Sequence, residues 1–198
     1  KQISLNAVNN LNLIYLYWSN RFQDEKNDYF FFDYDLDNTL LSFFDPNKII
    51  KLDTFNLFLQ TTNSQHALSA TNRKFYWNAI ENYFEPILYD ANPGIDLDFS
   101  TTTTALTRLP VSAYFEESFN NLSEKLSAIN LNKLHVQVSN SGLNLSQTEI
   151  KNKIERIKEN LKRIKTNFDQ TIKKEDIISH NNFKKIENIL NKFNKNLS

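Results

Sequence analysis

The sequence predicts a mainly α protein with minor β: an irregular helical bundle with one or two short strands and a C-terminal amphipathic helical hairpin. Three observations predict it. Apolar residues recur at helical spacing through most of the chain. One stretch, Leu134 to Val138, alternates apolar and polar residues as a half-buried strand does. The last quarter carries a helix-start signal followed by a long heptad-like stripe.

From Ile3 to Phe22, the residues Leu5, Val8, Leu11 and Tyr15 fall on one stripe that Trp18 and Phe22 continue, with Ser4 as N-cap. This is a helix expected to be largely buried. The run Tyr29-Phe30-Phe31-Phe32 is short and flanked by polar residues, which favours a strand or irregular packing. Asp53 is placed to cap a short helix ending at Gln60, and Ser69 or Thr71 another that runs to Phe84 and stops before Pro86. Residues 90–110 read as an extended connection, because Asn92-Pro93-Gly94 is turn chemistry and Thr101 to Thr104 is a β-branched polar run. After Pro110, the residues Phe115, Phe119, Leu122 and Leu126 mark a helix, and Glu116 and Glu117 in its first turn suit the helix dipole. The period-2 strand follows and ends at Asn140-Ser141-Gly142.

Ser146-Gln147-Thr148-Glu149 is a capping box, in which each side chain satisfies the other residue's amide. Beyond it Ile150, Ile154, Ile157, Leu161, Ile164 and Phe168 step by four and three residues, a seam of the coiled-coil type suited to docking on the rest of the chain, on a partner protein or on a second copy. A break near Ser179-His180-Asn181 restarts the pattern at Phe183, Ile186, Leu190, Phe193 and Leu197. The chain therefore divides into an aromatic-rich body, residues 1–145, and a helical hairpin, residues 146–198.

Charge follows that division. The 198 residues carry no net charge, yet residues 1–146 hold 10 Lys and Arg against 16 Asp and Glu, a net of −6, and residues 147–198 hold 13 against 7, a net of +6. A global pull toward nucleic acid or anionic membrane is thus missing, and the basic tail, with acidic residues interspersed, reads as a solvated helical face. The abundance of Asn, Lys, Ile and Phe points to an A/T-rich genome. The absence of Cys excludes a disulfide scaffold, a thiolate zinc site and a cysteine nucleophile. Having neither Cys nor Met leaves few oxidation targets, which favours a secreted or surface-displayed protein, a lipoprotein for example. No stretch of the sequence is long and apolar enough to span a membrane.

Phe32-Asp33-Tyr34-Asp35-Leu36-Asp37-Asn38-Thr39 is an apolar stretch followed by Asp-x-Asp-x-Thr, and Leu134 to Ser139 is an apolar alternating stretch ending in Ser. These two stretches resemble the first and second motifs of the haloacid dehalogenase-like phosphatases. The resemblance implies Asp35 as nucleophile, Asp37 as general acid/base, Ser139 as phosphate ligand and Mg²⁺ as cofactor. A second reading of the same cluster is a calcium loop in which Asp33, Asp35 and Asp37 converge on one hard cation, although Asn38 stands where a Gly belongs and Phe44 where a bidentate Glu belongs. A third is a plain solvated acidic loop. His66, His135 and His180 show no ligand spacing and read as ordinary polar residues.

Most of the 26 aromatic residues precede Ser146, more than a core of that size needs, and the surplus Tyr and Trp would make interface anchors. The sequence thus leads to a non-enzymatic protein-binding or assembly module without cofactor, with the phosphohydrolase and the calcium loop as alternatives.

Overall fold

The computed structural model describes residues 5, 7–9, 11–12, 41–42, 45–68, 72–97 and 114–171. Of these, 64% are helical and the sheet has only two strands, so the chain is mainly α with minor β.

Helix α1, Pro46–Thr61, begins where Asp45 accepts the Asn47 amide at 3.0 Å and Pro46 supplies a preset φ at the first helical position. Asp45-Pro46 is a stronger start signal than Asp53, which lies inside the helix and is buried. The expected helix from Asp53 is therefore about two turns too short. Apart from the exposed Pro46, Asn47 and Lys51, the residues of α1 are buried or half-buried, among them Ile49, Leu52, Asn56, Leu57, Leu59 and Gln60, because α1 is the hub that other described elements pack on. A 3₁₀ turn, Gln65–Leu68, folds back on it and closes a small cluster of Leu59, Ala67 and Leu68 with Phe55 and Ala91.

Residues expected as a helix up to Phe84 instead form an antiparallel hairpin of β1, Lys74–Asn78, and β2, Tyr83–Ile87. Two features override the helical spacing. Aromatic residues crowd both strands, where they fit a pleated surface. Asn78 then accepts the amides of Ile80 and Glu81 at 3.1 Å each, and Asn82 takes a left-handed φ of 55°, so the chain reverses over four residues.

Helix α2, Phe115–Ser127, carries Glu116 and Glu117 in its first turn as the sequence requires and buries Phe115, Leu122 and Leu126. It meets α1 where Ser118 faces Thr54, whose hydroxyl lies 3.5 Å from the Ser118 carbonyl. The predicted strand at 134–138 is also corrected. It is part of helix α3, Leu131–Asn140, capped by Asn130, which accepts the Lys133 amide at 3.0 Å. Leu131, Leu134 and Val138 share a helical stripe at steps of three and four, and Val136, which made the alternation, is left exposed. The helix ends in a Schellman motif: Gly142 donates to Ser139 at 3.0 Å and Leu143 to Val138 at 3.2 Å, with Gly142 at φ 86°.

Helix α4, Gln147–Thr171, starts at the capping box. Ser146 donates its amide to Glu149 Oε2 at 2.7 Å, and the Glu149 amide donates to Ser146 Oγ at 3.2 Å. All six seam residues, Ile150, Ile154, Ile157, Leu161, Ile164 and Phe168, are buried within this chain. The last four share one cluster with Leu57 of α1 and with Phe115, Leu122 and Leu126 of α2. Phe115 stacks on Phe168 at a centroid distance of 3.7 Å, so the start of α2 lies beside the end of α4. Leu5, Val8 and Leu11 have helical backbone but are about half exposed, against the largely buried helix expected there. The second tail helix, with Phe183 to Leu197, lies outside the described residues. Among the described residues no helix is long and apolar enough to cross a membrane.

Candidate docking surface

In an antiparallel ladder directly paired residues share a face. Phe75/Pro86 and Trp77/Phe84 therefore make one face of the hairpin, and Lys74/Ile87, Tyr76/Glu85 and Asn78/Tyr83 the other. The first is the inner face. Phe84 is buried, Trp77 meets it edge-on at 5.0 Å, and Phe75 and Pro86 are half-buried.

The second face is divided along its length. Toward the turn, Tyr83 is buried with the ammonium groups of Lys48 and Lys51 at 5.7 and 5.5 Å from its ring. Burial pushes its phenol up, against the opposing charge of Lys51. Lys51 donates to Glu81 at 2.6 Å, and that hydrogen bond holds its ammonium above the ordinary lysine value. Glu85 accepts from Tyr83 at 2.9 Å and from Asn78 at 3.1 Å. The two acidic side chains of the hairpin are thus both held by neighbours within the chain.

Toward the root the same face is open. Tyr76 and Ile87 lie on it, 49% and 44% exposed, and the chain continues into Leu88 and Tyr89, also more than half exposed. Lys74 lies over the Tyr89 ring at 5.4 Å. At the turn Ile80 is 97% exposed. Three large apolar side chains of the hairpin, and two that directly follow it, thus face solvent.

Beneath the root is a small cavity of about 10 Å³, lined by Phe55 and Asn56 of α1, Ala67 and Leu68 of the 3₁₀ turn, and Arg73, Lys74, Phe75, Pro86 and Ile87 of the hairpin. Asn56 is buried, and its Nδ2 has no hydrogen-bond acceptor; one turn along the helix, Gln60 Nε2 is in the same position. Arg73 lies over the Phe75 ring at 5.2 Å. Burial pulls its guanidinium down to about 10, and the charge of Asp53 opposes that. A larger, open groove of about 700 Å³ runs along α4, where Lys153 pairs with Asp96 and Arg156 donates to the Leu97 carbonyl. Its charges of both signs are largely spent on one another and on backbone.

Asp33, Asp35 and Asp37 lie outside the described residues. Ser139 is exposed in the last turn of α3, so it does not stand at a strand end as the phosphatase resemblance requires. Among the described residues no three His, Asp or Glu side chains are grouped to hold a metal ion. His66 contacts Asp90 at 3.2 Å on the surface, and His135 is half-buried on α3. The seam on α4 is occupied by this chain's own α1 and α2. Sequence reasoning expected surplus aromatic anchors but missed the hairpin that presents them; Asn78 and Asn82 between two aromatic runs were the signal for it. Comparison with protein-family models, with curated proteins and with solved structures finds no match for this chain.

Proposed function

We propose that this protein is a non-enzymatic protein-binding module whose docking surface is the root of the β1–β2 hairpin. The observation that carries the reading is the exposure of Tyr76 and Ile87 on the outer face of the hairpin, with Leu88 and Tyr89 directly after it also exposed. Aromatic and aliphatic anchors at that density supply contact area with little rotamer entropy to lose. The composition, free of Cys and Met, supports work at a cell surface or in a secreted form.

A photo-crosslinking residue placed at Leu88, with Lys151 on the exposed side of α4 as control site, tests the reading in the producing cells. A discrete adduct is expected from position 88 and not from 151, competed by unlabelled protein and lost on combining Tyr76→Ser, Ile87→Ser and Tyr89→Ser. Equal adducts from both positions, or none from 88, would overturn it. So would Mg²⁺-dependent hydrolysis of p-nitrophenyl phosphate that Asp35→Asn abolishes. Protease accessibility of the tagged protein on intact cells tests the surface location.

A further inference from the structure

Between α2 and α4 the backbone leaves the core and later returns to it. Leu126 and Ile150 are buried, 5% and 4% exposed, and every residue from Ser127 to Glu149 between them is half-buried or exposed. That stretch contains all of α3, a helix of 10 residues without one buried side chain. Its apolar stripe of Leu131, Leu134 and Val138 is half-buried, and the described element it chiefly packs on is α4.

The hydrogen bonds that shape the stretch are local to it. Asn130 accepts from the Lys133 amide at its start, and Ser141, Gly142 and Leu143 donate back to carbonyls of its last turn. Across to α4, Gln147 Nε2 donates to Asn132 Oδ1 at 3.0 Å between two exposed side chains. A helix this short is marginal in water once its packing is lost, so undocking from α4 also melts it. Undocking uncovers only the hidden halves of Leu131, Leu134 and Val138. Displacing α4 itself would uncover Ile157, Leu161, Ile164 and Phe168, all buried. Segments with few buried apolar contacts and backbone hydrogen bonds close to solvent are the ones that open first. Both ends of the stretch are nevertheless held: Ile129 packs on the cluster of α1, α2 and α4, and the capping box fixes Ser146.

We propose that residues 130–145 are a strap that leaves α4 and melts as one unit while α1, α2 and α4 stay folded. The open strap bares Leu131, Leu134 and Val138 beside Val136 and Leu143, which are exposed already. Exposure of that apolar segment is thereby set by a local equilibrium instead of by the stability of the whole molecule. The device stands apart from the hairpin surface and does not depend on it.

Native-state amide hydrogen exchange of the whole chain, resolved by residue and followed at rising urea below the unfolding midpoint, tests the proposal. Amides 134–143 are expected to be protected, yet to exchange about a hundredfold or more faster than those of Leu161 and Ile164. Their rates stay nearly flat with urea because the opening exposes little surface, whereas those of Leu161 and Ile164 climb steeply. Leu134→Ala is expected to speed all the protected α3 amides by one common factor of about ten. A urea dependence in α3 as steep as that of Leu161 would overturn the proposal, since α3 would then open only with the whole molecule. So would amides of α3 without protection, because a strap must close, or a Leu134→Ala effect confined to its immediate neighbours.

Discussion

Helix α4 and the hairpin dispose of their apolar side chains in opposite ways. Six apolar residues of α4, spaced by four and three, fall on one side of a cylinder, and all six are buried, the last four in one cluster with α1 and α2. The hairpin alternates its residues between two faces, and on the outer one Tyr83 is buried toward the turn while Tyr76 and Ile87 stay exposed. A helix can hide its whole apolar set from one direction, whereas a hairpin apolar on both faces keeps a surface that only a further layer can cover. The difference ties architecture to the proposed function: α4 holds the molecule together, and the hairpin is free to meet something else.

The largest expected effect tests the first half of that contrast. Ile164 is 1% exposed in the cluster that joins α1, α2 and α4. Ile164→Ala removes buried methyl groups and leaves a cavity, and urea denaturation is expected to show a loss of about 3 kcal/mol. A loss under about 1 kcal/mol would mean that α4 docks on the body far more loosely than its buried seam implies.

A second substitution sharpens how α4 is positioned. Asn160, buried beside Leu161, donates through Nδ2 to the Thr61 carbonyl at 2.9 Å, satisfying one of the carbonyls left open at the end of α1. Asn160→Ala leaves that buried carbonyl without this donor and is expected to cost about 2 kcal/mol in the same assay. Isoleucine and leucine elsewhere on the seam are interchangeable in kind. An asparagine at one point fixes which turn of α4 faces the end of α1.

What was legible in the sequence follows the same division. The capping box at Ser146 and the stripe from Ile150 to Phe168 are local signals repeated over many turns, and both are present in the structure. The fold class was legible for that reason. Two shorter segments exchange their expected forms: 71–84, read as helix, holds β1, the turn and the start of β2, and 134–138, read as strand, lies in α3. Over so few residues both periods fit, and the deciding groups are polar residues at the ends. Asn78 reverses the chain into β2, and Asn130 with Gly142 brackets α3. Helix α1 was read too short because the Asp45-Pro46 start was passed over and the buried stretch from Leu52 to Thr61 has no polar face to give it a period. The candidate surface was legible only as a surplus of aromatic residues. The cavity was not legible, since Asn56 and Arg73 meet only once the hairpin lies along α1.

Acid is expected to act on α4 through its start. The Ser146 amide and hydroxyl hold the Glu149 carboxyl below its ordinary value of 4.5. A carboxyl whose folded pKa is lowered contributes stability that is fully present above the unfolded pKa and is lost as pH falls through the folded one. Wild type is therefore expected to exceed Glu149→Gln in stability at pH 7 and to converge with it once the pH passes below that lowered value. Urea midpoints followed from pH 7 to pH 3 check this. A gap that stays constant to pH 3 would assign the cap to hydrogen bonding that the neutral amide supplies equally well.

The smallest effect on stability is expected at the hairpin, and it bears most on the contrast. Tyr76→Ser and Leu88→Ser remove large apolar groups that are about half exposed and belong to neither described apolar cluster, so each is expected to shift stability by no more than about 0.5 kcal/mol. Tyr76→Ser is expected to weaken the crosslink formed from position 88, and both changes to weaken partner binding. A residue that supports the fold loses stability when truncated, and one that serves a partner loses only the partner. A cost of about 2 kcal/mol at Tyr76 would show that this face is sealed within the chain and that the contrast between α4 and the hairpin is one of degree.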